Sequence, residues 1–246
     1  MDRRRRSDPV RLSTTGLLVV YARCVRADEE VAWDAWEDEV HLPALCAADG
    51  AWAATRFELT ARPQPGMPGI GFMHVTILEL DDADVAAQAA RVLDVDDALR
   101  RAGRMHPAHA ALAADVFVAH GPYGAKPEPS RARTGHILTH VLCTDPTRLD
   151  EWDRWYDQVH VPDMLSCGAF STMSRWRRAA PSAVGPNHLT LYDVATPTVE
   201  EAVARSATTL AEVVAAGRKH ECHTGALTVT LRPTGRHRGD GIRRIG

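Results

Sequence analysis

The sequence predicts an α+β protein built from two copies of one βαββαβ unit, and three observations carry that prediction. The segments "WDAWEDEVHLP" (33–43) and "WDRWYDQVHVP" (152–162) agree at seven of eleven positions. The same offset sets "GLLVVYARC" (16–24) over "GHILTHVLC" (135–143). A slightly shorter one sets "HVTILEL" (74–80) over "HLTLYDV" (188–194) and "AGRMHPAH" (102–109) over "AGRKHECH" (216–223). Each copy spans the length of one small domain, so the chain reads as a repeated domain.

Each unit opens with a β-branched apolar run (17–23; 136–142) that reads as a strand. A helix follows, with large apolar residues at three- and four-residue spacing: Trp33, Trp36 and Val40, then Trp152, Trp155, Tyr156 and Val159. Asp28 and Asp145-Pro146 supply start signals, and Pro43 and Pro162 are expected to end the helix. A second strand (51–59; 170–177), a Pro/Gly-rich turn ("RPQPGMPG"; "APSAVGP") and a third strand (72–80; 188–194) come next. The second helix starts near Asp82 and at Thr196-Pro197, Gly103 and Gly217 close it, and a last strand (115–119; 226–231) completes the unit.

That order is the ferredoxin-like split βαβ, a four-stranded antiparallel sheet with both helices on one face. Its bare face needs cover, and a second fused copy supplies it, so two units form an α+β barrel. The expected boundaries are a disordered tail (1–14), a first unit (15–120), a Pro/Gly-rich linker (121–134), a second unit (135–232) and a basic tail (233–246).

Composition excludes several function classes. With 29 Lys+Arg against 32 Asp+Glu there is no general basic footprint for nucleic acid, and the basic clusters "DRRRR" and "GRHRGDGIRR" read as solvated ends. Five widely spaced cysteines without a C-x-x-C argue for a reducing compartment. The run "GLLVVYA" is too short to cross a bilayer, which gives a cytoplasmic and, from the Ala- and Arg-rich composition, bacterial expectation. No Gly-rich phosphate loop, dinucleotide fingerprint or G-x-S-x-G elbow is present.

The helix-ending pattern W-x-x-W-Y-x-x-V-H-x-P-x-x-L within a βαββαβ unit resembles the EthD-like branch of the dimeric α+β barrel superfamily. The likeness spans nearly the whole chain. It implies a choice of chemistries: polyketide cyclases, dehydratases and decarboxylases, lactone isomerases, cofactor-free monooxygenases and haem-binding members. The superfamily's polyketide cyclases use His and Arg on these elements, so the resemblance points to His160 or His41 and to Arg175 or Arg56.

The residues support a site independently. His160 lies four residues after Tyr156 and three after Asp157, which places it on the aromatic stripe with a carboxylate able to orient its ring. A helix C-terminus there favours the protonated imidazole. The first half repeats the arrangement with Trp33, Trp36, Asp38 and His41. Arg175 and Arg56 stand one strand over, near His188 and His74, where guanidinium and imidazole would stabilise a phenolate or enolate. Trp152, Trp155, Trp176, Trp33 and Trp36, with His140 and Tyr21, are the expected substrate-binding surface. The plain alternative is a packed helix end with tryptophans in the core. The second half, carrying Tyr156, His140 and Trp176 in place of Glu37, Tyr21 and Phe57, is the expected active half.

The pairs "HPAH" (106–109) and "HECH" (220–223) have metal spacing but only two ligands each. They are placed at the opposite sheet end from His41 and His160, so no metal is expected. The leading functional reading is a cofactor-independent lyase or isomerase, a cyclase, dehydratase or decarboxylase acting on an aromatic or polyketide-like substrate in natural-product biosynthesis. Two others stay open: an oxidative enzyme, cofactor-free or haem-dependent because one neutral His suffices as axial ligand, and a small-molecule carrier. A homodimer is compatible with all three.

Overall fold

β1 (Gly16–Cys24) shows how the sequence becomes architecture. Its side chains alternate: Leu17, Val19 and Tyr21 enter one hydrophobic cluster and Leu18 and Val20 another, so both faces of the strand are buried. The chain forms a computed structural model in which residues 14–47, 51–60, 71, 73–123, 134–182, 185–238 and 241–243 are described. The linker residues 124–133, the turn 61–70 and the first basic cluster lie outside them.

The first half runs β1, α1 (Glu30–Trp36), α2 (Leu42–Ala47), β2 (Ala51–Leu59), β3 (His74–Leu80), α3 (Val85–Arg101) and β4 (His109–Ala119). The second runs β5 (His136–Cys143), α4 (Leu149–Trp155), α5 (Val161–Ser166), β6 (Phe170–Arg178), β7 (His188–Val194), α6 (Val199–Ala215), β8 (His223–Arg238) and a short β9 (Gly241–Arg243). The expected βαββαβ order is present in both.

The strands are antiparallel in the order β2-β3-β1-β4-β6-β7-β5-β8-β9, and β8 also pairs with β2. Eight strands therefore close into a barrel, with β4–β6 and β8–β2 as the seams between the units. The barrel interior is filled by Phe57, Val75, Phe117, Leu138, Trp176 and Leu189, among others. All four long connecting segments pack on the outside.

Three expectations about element ends are corrected. Pro43 and Pro162 do not stop the first helix: a π-helical turn (Glu37–His41; Tyr156–His160) precedes each, and the helix continues beyond it. The N–H of Leu42 reaches Glu37 and that of Val161 reaches Tyr156, a five-residue step. The widened turn lets a proline at the second position of the next segment pass without a missing partner. β8 runs to Arg238, past the expected end at 231, so part of the supposed basic tail is a paired strand. Asp28 also falls inside a 3-10 turn and caps nothing, whereas Asp145 does cap, accepting from the N–H of Thr147.

Asp84 and Thr198 cap α3 and α6 with side-chain oxygens. Gly103 and Gly217, at φ 65° and 66°, take the left-handed conformation that closes both helices.

Inside the barrel, the Tyr21 hydroxyl and His140 Nε2 share a hydrogen bond of 2.6 Å. Burial raises the phenol's pKa and pushes that of the imidazole down to about 4, so both partners are neutral. Tyr21→Phe leaves a buried nitrogen without its hydrogen-bond partner and is expected to cost about 1–3 kcal/mol in urea unfolding. A variant as stable as the parent would show that the pair contributes nothing.

Candidate functional site

In the second unit, the helix pair α4/α5 lays Trp152, Trp155, Tyr156 and His160 against the outer face of β6, β7 and β8. The His160 ring lies 4.7 Å from Tyr156, 5.2 Å from Trp155 and 5.3 Å from His223, centre to centre. Its Nε2 is 3.4 Å from the Tyr192 hydroxyl, and Tyr156 meets Thr190 at 2.8 Å. Burial, reinforced by the neighbouring His223, pushes the His160 pKa down to about 3. The expected protonated helix-end histidine is thus corrected: the helix runs on past it and the ring is neutral.

Asp157 does not orient His160. It pairs with Arg175, whose other nitrogen donates to Asp153 at 2.7 Å. The guanidinium also lies 4.2 Å over Tyr156 and is only 1% exposed. Asp153 further accepts from His120 Nε2 at 3.0 Å. Arg56 is similarly engaged, by Asp34 at 2.6 Å and Asp38 at 3.7 Å. Neither arginine is open to an enolate, contrary to the sequence-based expectation. Each does stand beside the expected histidine, because Arg175 and His188, like Arg56 and His74, share a sheet face around Trp152 and Trp33.

Strand alternation divides the expected substrate-binding surface. Trp176, Tyr21 and His140 are in the barrel interior, on the other side of the sheet from Trp152 and His160. The expectation that they share one cleft is corrected.

The H-x-x-H pairs are also not remote. His109 lies 5.1 Å from His41, as His223 lies beside His160, because β4 and β8 begin earlier than expected and carry these residues under the π turns. In the first unit His41 Nδ1 is 2.8 Å from Glu37 and its Nε2 is 2.7 Å from Asp96, with Trp36 stacked on the ring at 4.7 Å. Burial opposes charge on His41, but Glu37 and Asp96 outweigh it and raise its pKa to about 9. The two units therefore differ: an ionised cluster in the first, a neutral aromatic one in the second.

The neutral cluster makes stability fall in acid. His160, His188 and His223 are pushed by burial to about 3, 4 and 4. A depressed histidine stabilises the fold above its free value near 6.5, and that contribution is lost as pH falls towards the folded value. His160→Gln is expected to flatten the loss of stability between about pH 6.5 and 4. Equal slopes for variant and parent would remove His160 from this account.

A cavity of about 650 Å³ opens at the β4–β6 seam. It is walled by Val85, Val118, Leu142 and Leu149, with Arg177, Arg178 and His188 at its polar edge. Arg178 is held by Asp115 at 2.8 Å. Sequence reasoning missed this cavity, since its walls come from both units and no motif spans them. Among the described residues no helix is long and apolar enough to cross a membrane.

No protein-family model and no curated protein matches the chain. Solved structures do match in fold. A candidate monooxygenase of Fusobacterium nucleatum is 12% identical with a TM-score of 0.56, over 94% of this chain and 97% of that one. An anthrone oxidase-like protein is 10% identical at 0.53, over 94% and 96%. A Rhodococcus jostii RHA1 DypB variant in complex with haem is 8% identical at 0.57, over 90% and 94%. That last structure overturns the expectation of a cofactor-free site, because a barrel of this fold is seen with haem bound. At such identities the likeness concerns architecture alone, and it is the α+β barrel of ferredoxin-like units that this chain shares with these proteins.

Proposed function

We propose that the protein is an oxidative enzyme acting on a small, planar, largely apolar molecule, with haem as its cofactor. We read the chain as a tandem duplicate within the EthD-like branch, in keeping with the repeated W-x-x-W and H-x-P pattern. The cavity at the β4–β6 seam carries the functional reading. Its volume lies within the range of cofactor and ligand pockets.

Haem does not fit at His160, whose ring is enclosed by Trp155, Tyr156, Tyr192 and His223. The donor set of the cavity does fit. Burial holds His188 near 4, so at neutral pH its imidazole is unprotonated and has the lone pair an iron ligand needs. Arg177 is suited to a carboxylate, Arg178 being held by Asp115, and the aliphatic residues offer an apolar wall. Bound haem would supply redox-active iron; the chain supplies the ligand, a counter-charge and that wall. The oxidase and monooxygenase names among structures of the same fold support this reading over cyclisation, as does the engagement of Arg175 and Arg56 in ion pairs.

The test is haem titration of the full-length protein. A Soret band saturating at one equivalent is expected, lost in His188→Ala and retained in His160→Ala. The same haem-loaded protein is expected to consume oxygen or peroxide with an anthrone-type substrate. Absence of saturable binding sinks the haem assignment, and absence of oxidative turnover sinks the enzyme reading.

A further inference from the structure

The first unit contains a cluster that the proposed function does not use. The two carboxylate oxygens of buried Glu37 face two imidazoles, His41 Nδ1 at 2.8 Å and His109 Nδ1 at 3.1 Å. One donor atom from each residue lies within 4.8 Å of the other two, and the three side chains are only 2–4% exposed.

His109 is the informative member. Its Nδ1 receives the indole N–H of Trp33 at 3.2 Å, which requires a lone pair there. The same Nδ1 lies 3.1 Å from a Glu37 oxygen, so it stands between an indole donor and a carboxylate acceptor and can satisfy only one of them at a time. His109 Nε2 is buried without a hydrogen-bond partner. A cation held by Glu37 and His109 Nδ1 would take the place of the proton contested there.

His41 is arranged in a complementary way. Its Nε2 is 2.7 Å from Asp96, so Nε2–H donates outward to a carboxylate while Nδ1 faces inward. Metal-bound histidines are held in this manner, the outer carboxylate fixing tautomer and ring orientation. The side chain of Asp96 is 19% exposed, which leaves a way in from solvent.

We propose that Glu37, His41 and His109 form a binding site for a divalent first-row metal ion of the zinc type, with Asp96 as the positioning residue for His41. Two imidazoles and one carboxylate form a borderline-soft set that leaves a fourth position for water. Binding displaces the proton from His41 Nδ1 to solvent, while the Nε2 proton stays on the ring, donated to Asp96. The site is peculiar to this unit: Tyr156 stands where Glu37 does, and Leu210 where Asp96 does, so neither equivalent position offers His160 or His223 a carboxylate. His120, Asp153 and His188 also bring their donor atoms together, but Arg175 is 2.7 Å from the Asp153 oxygen that faces His120 and repels a cation.

Cobalt(II) is the probe, titrated into chelator-treated full-length protein and followed by its visible absorption. One equivalent is expected to bind with a tetrahedral or five-coordinate spectrum, and zinc to displace it. Asp96→Asn should weaken binding roughly 10- to 100-fold and alter the spectrum, and Glu37→Gln should weaken it further. His223→Ala should change neither. Lack of a saturable one-per-chain site, or binding equal to the parent in Glu37→Gln, overturns the proposal. Should Glu37→Gln fail to fold by circular dichroism, His109→Asn is decisive: retained affinity there overturns it equally.

Discussion

Arg175→Ala is expected to destabilise the fold by about 3–5 kcal/mol, the cost of breaking a buried ion pair from one side. The guanidinium has Asp153 and Asp157 as partners and Tyr156 and Trp152 beneath it. Its loss leaves two partly buried carboxylates facing each other, with His120 and His188 beside Asp153. At roughly 2–4 °C per kcal/mol for a chain of this size, the melting temperature should fall by roughly 6–20 °C. Arg175→Met, which keeps the stem, should recover packing and little else. The pH dependence gives a second readout. Burial raises the Asp153 pKa, but His120 and Arg175 outweigh it and bring it to about 2. A depressed carboxylate stabilises above its free value and loses that contribution as pH falls through the folded one, so the variant should lose less stability in acid between about pH 4 and 2. A melting point within two degrees of the parent would show the ion-pair network to be surface decoration.

Deleting residues 233–246 is expected to have a comparable effect. These residues include most of the stretch of β8 that pairs with β2 and closes the barrel, from Phe57↔Pro233 to Ala53↔Arg238, and leave Glu58↔Arg232 and Leu59↔Leu231 in place. Each lost backbone hydrogen bond costs about 0.5–1.5 kcal/mol net, so the seam amounts to roughly 3–5 kcal/mol. The deletion also leaves most of β2 as an open edge, which invites pairing between chains. Lower stability in urea and concentration-dependent aggregation are the expected results. A monomeric truncated protein with unchanged stability would mean that the seam is dispensable.

The fold was legible because hydrophobic period and repeat agree at every element. Leu17 to Tyr21 reads as a strand buried on both faces, and Trp33/Trp36 and Trp152/Trp155 read as one helical stripe. The site was legible in part. Glu37 lies four residues before His41, a spacing any helix brings together, and could have been singled out. Asp96 could not, and His109, though noted in its H-x-x-H pair, could not be placed beside His41, because α3 and β4 reach His41 only through tertiary packing. Trp176 was misplaced by neglecting alternation: it follows Arg175 directly and must therefore face the other way. The prolines misled because a π turn, invisible to α-helical spacing, changes which carbonyl is left over.

The hydrogen bond between Tyr21 and His140 joins corresponding positions of the two repeats across the middle of the barrel. A barrel assembled from two identical chains would set a residue at that point against its own image, phenol against phenol or imidazole against imidazole. One continuous chain is exempt from that symmetry and can oppose a donor to an acceptor. The same freedom allows one unit to keep a carboxylate at Glu37 where the other holds the ring of Tyr156, so a single barrel can present two chemically unlike faces.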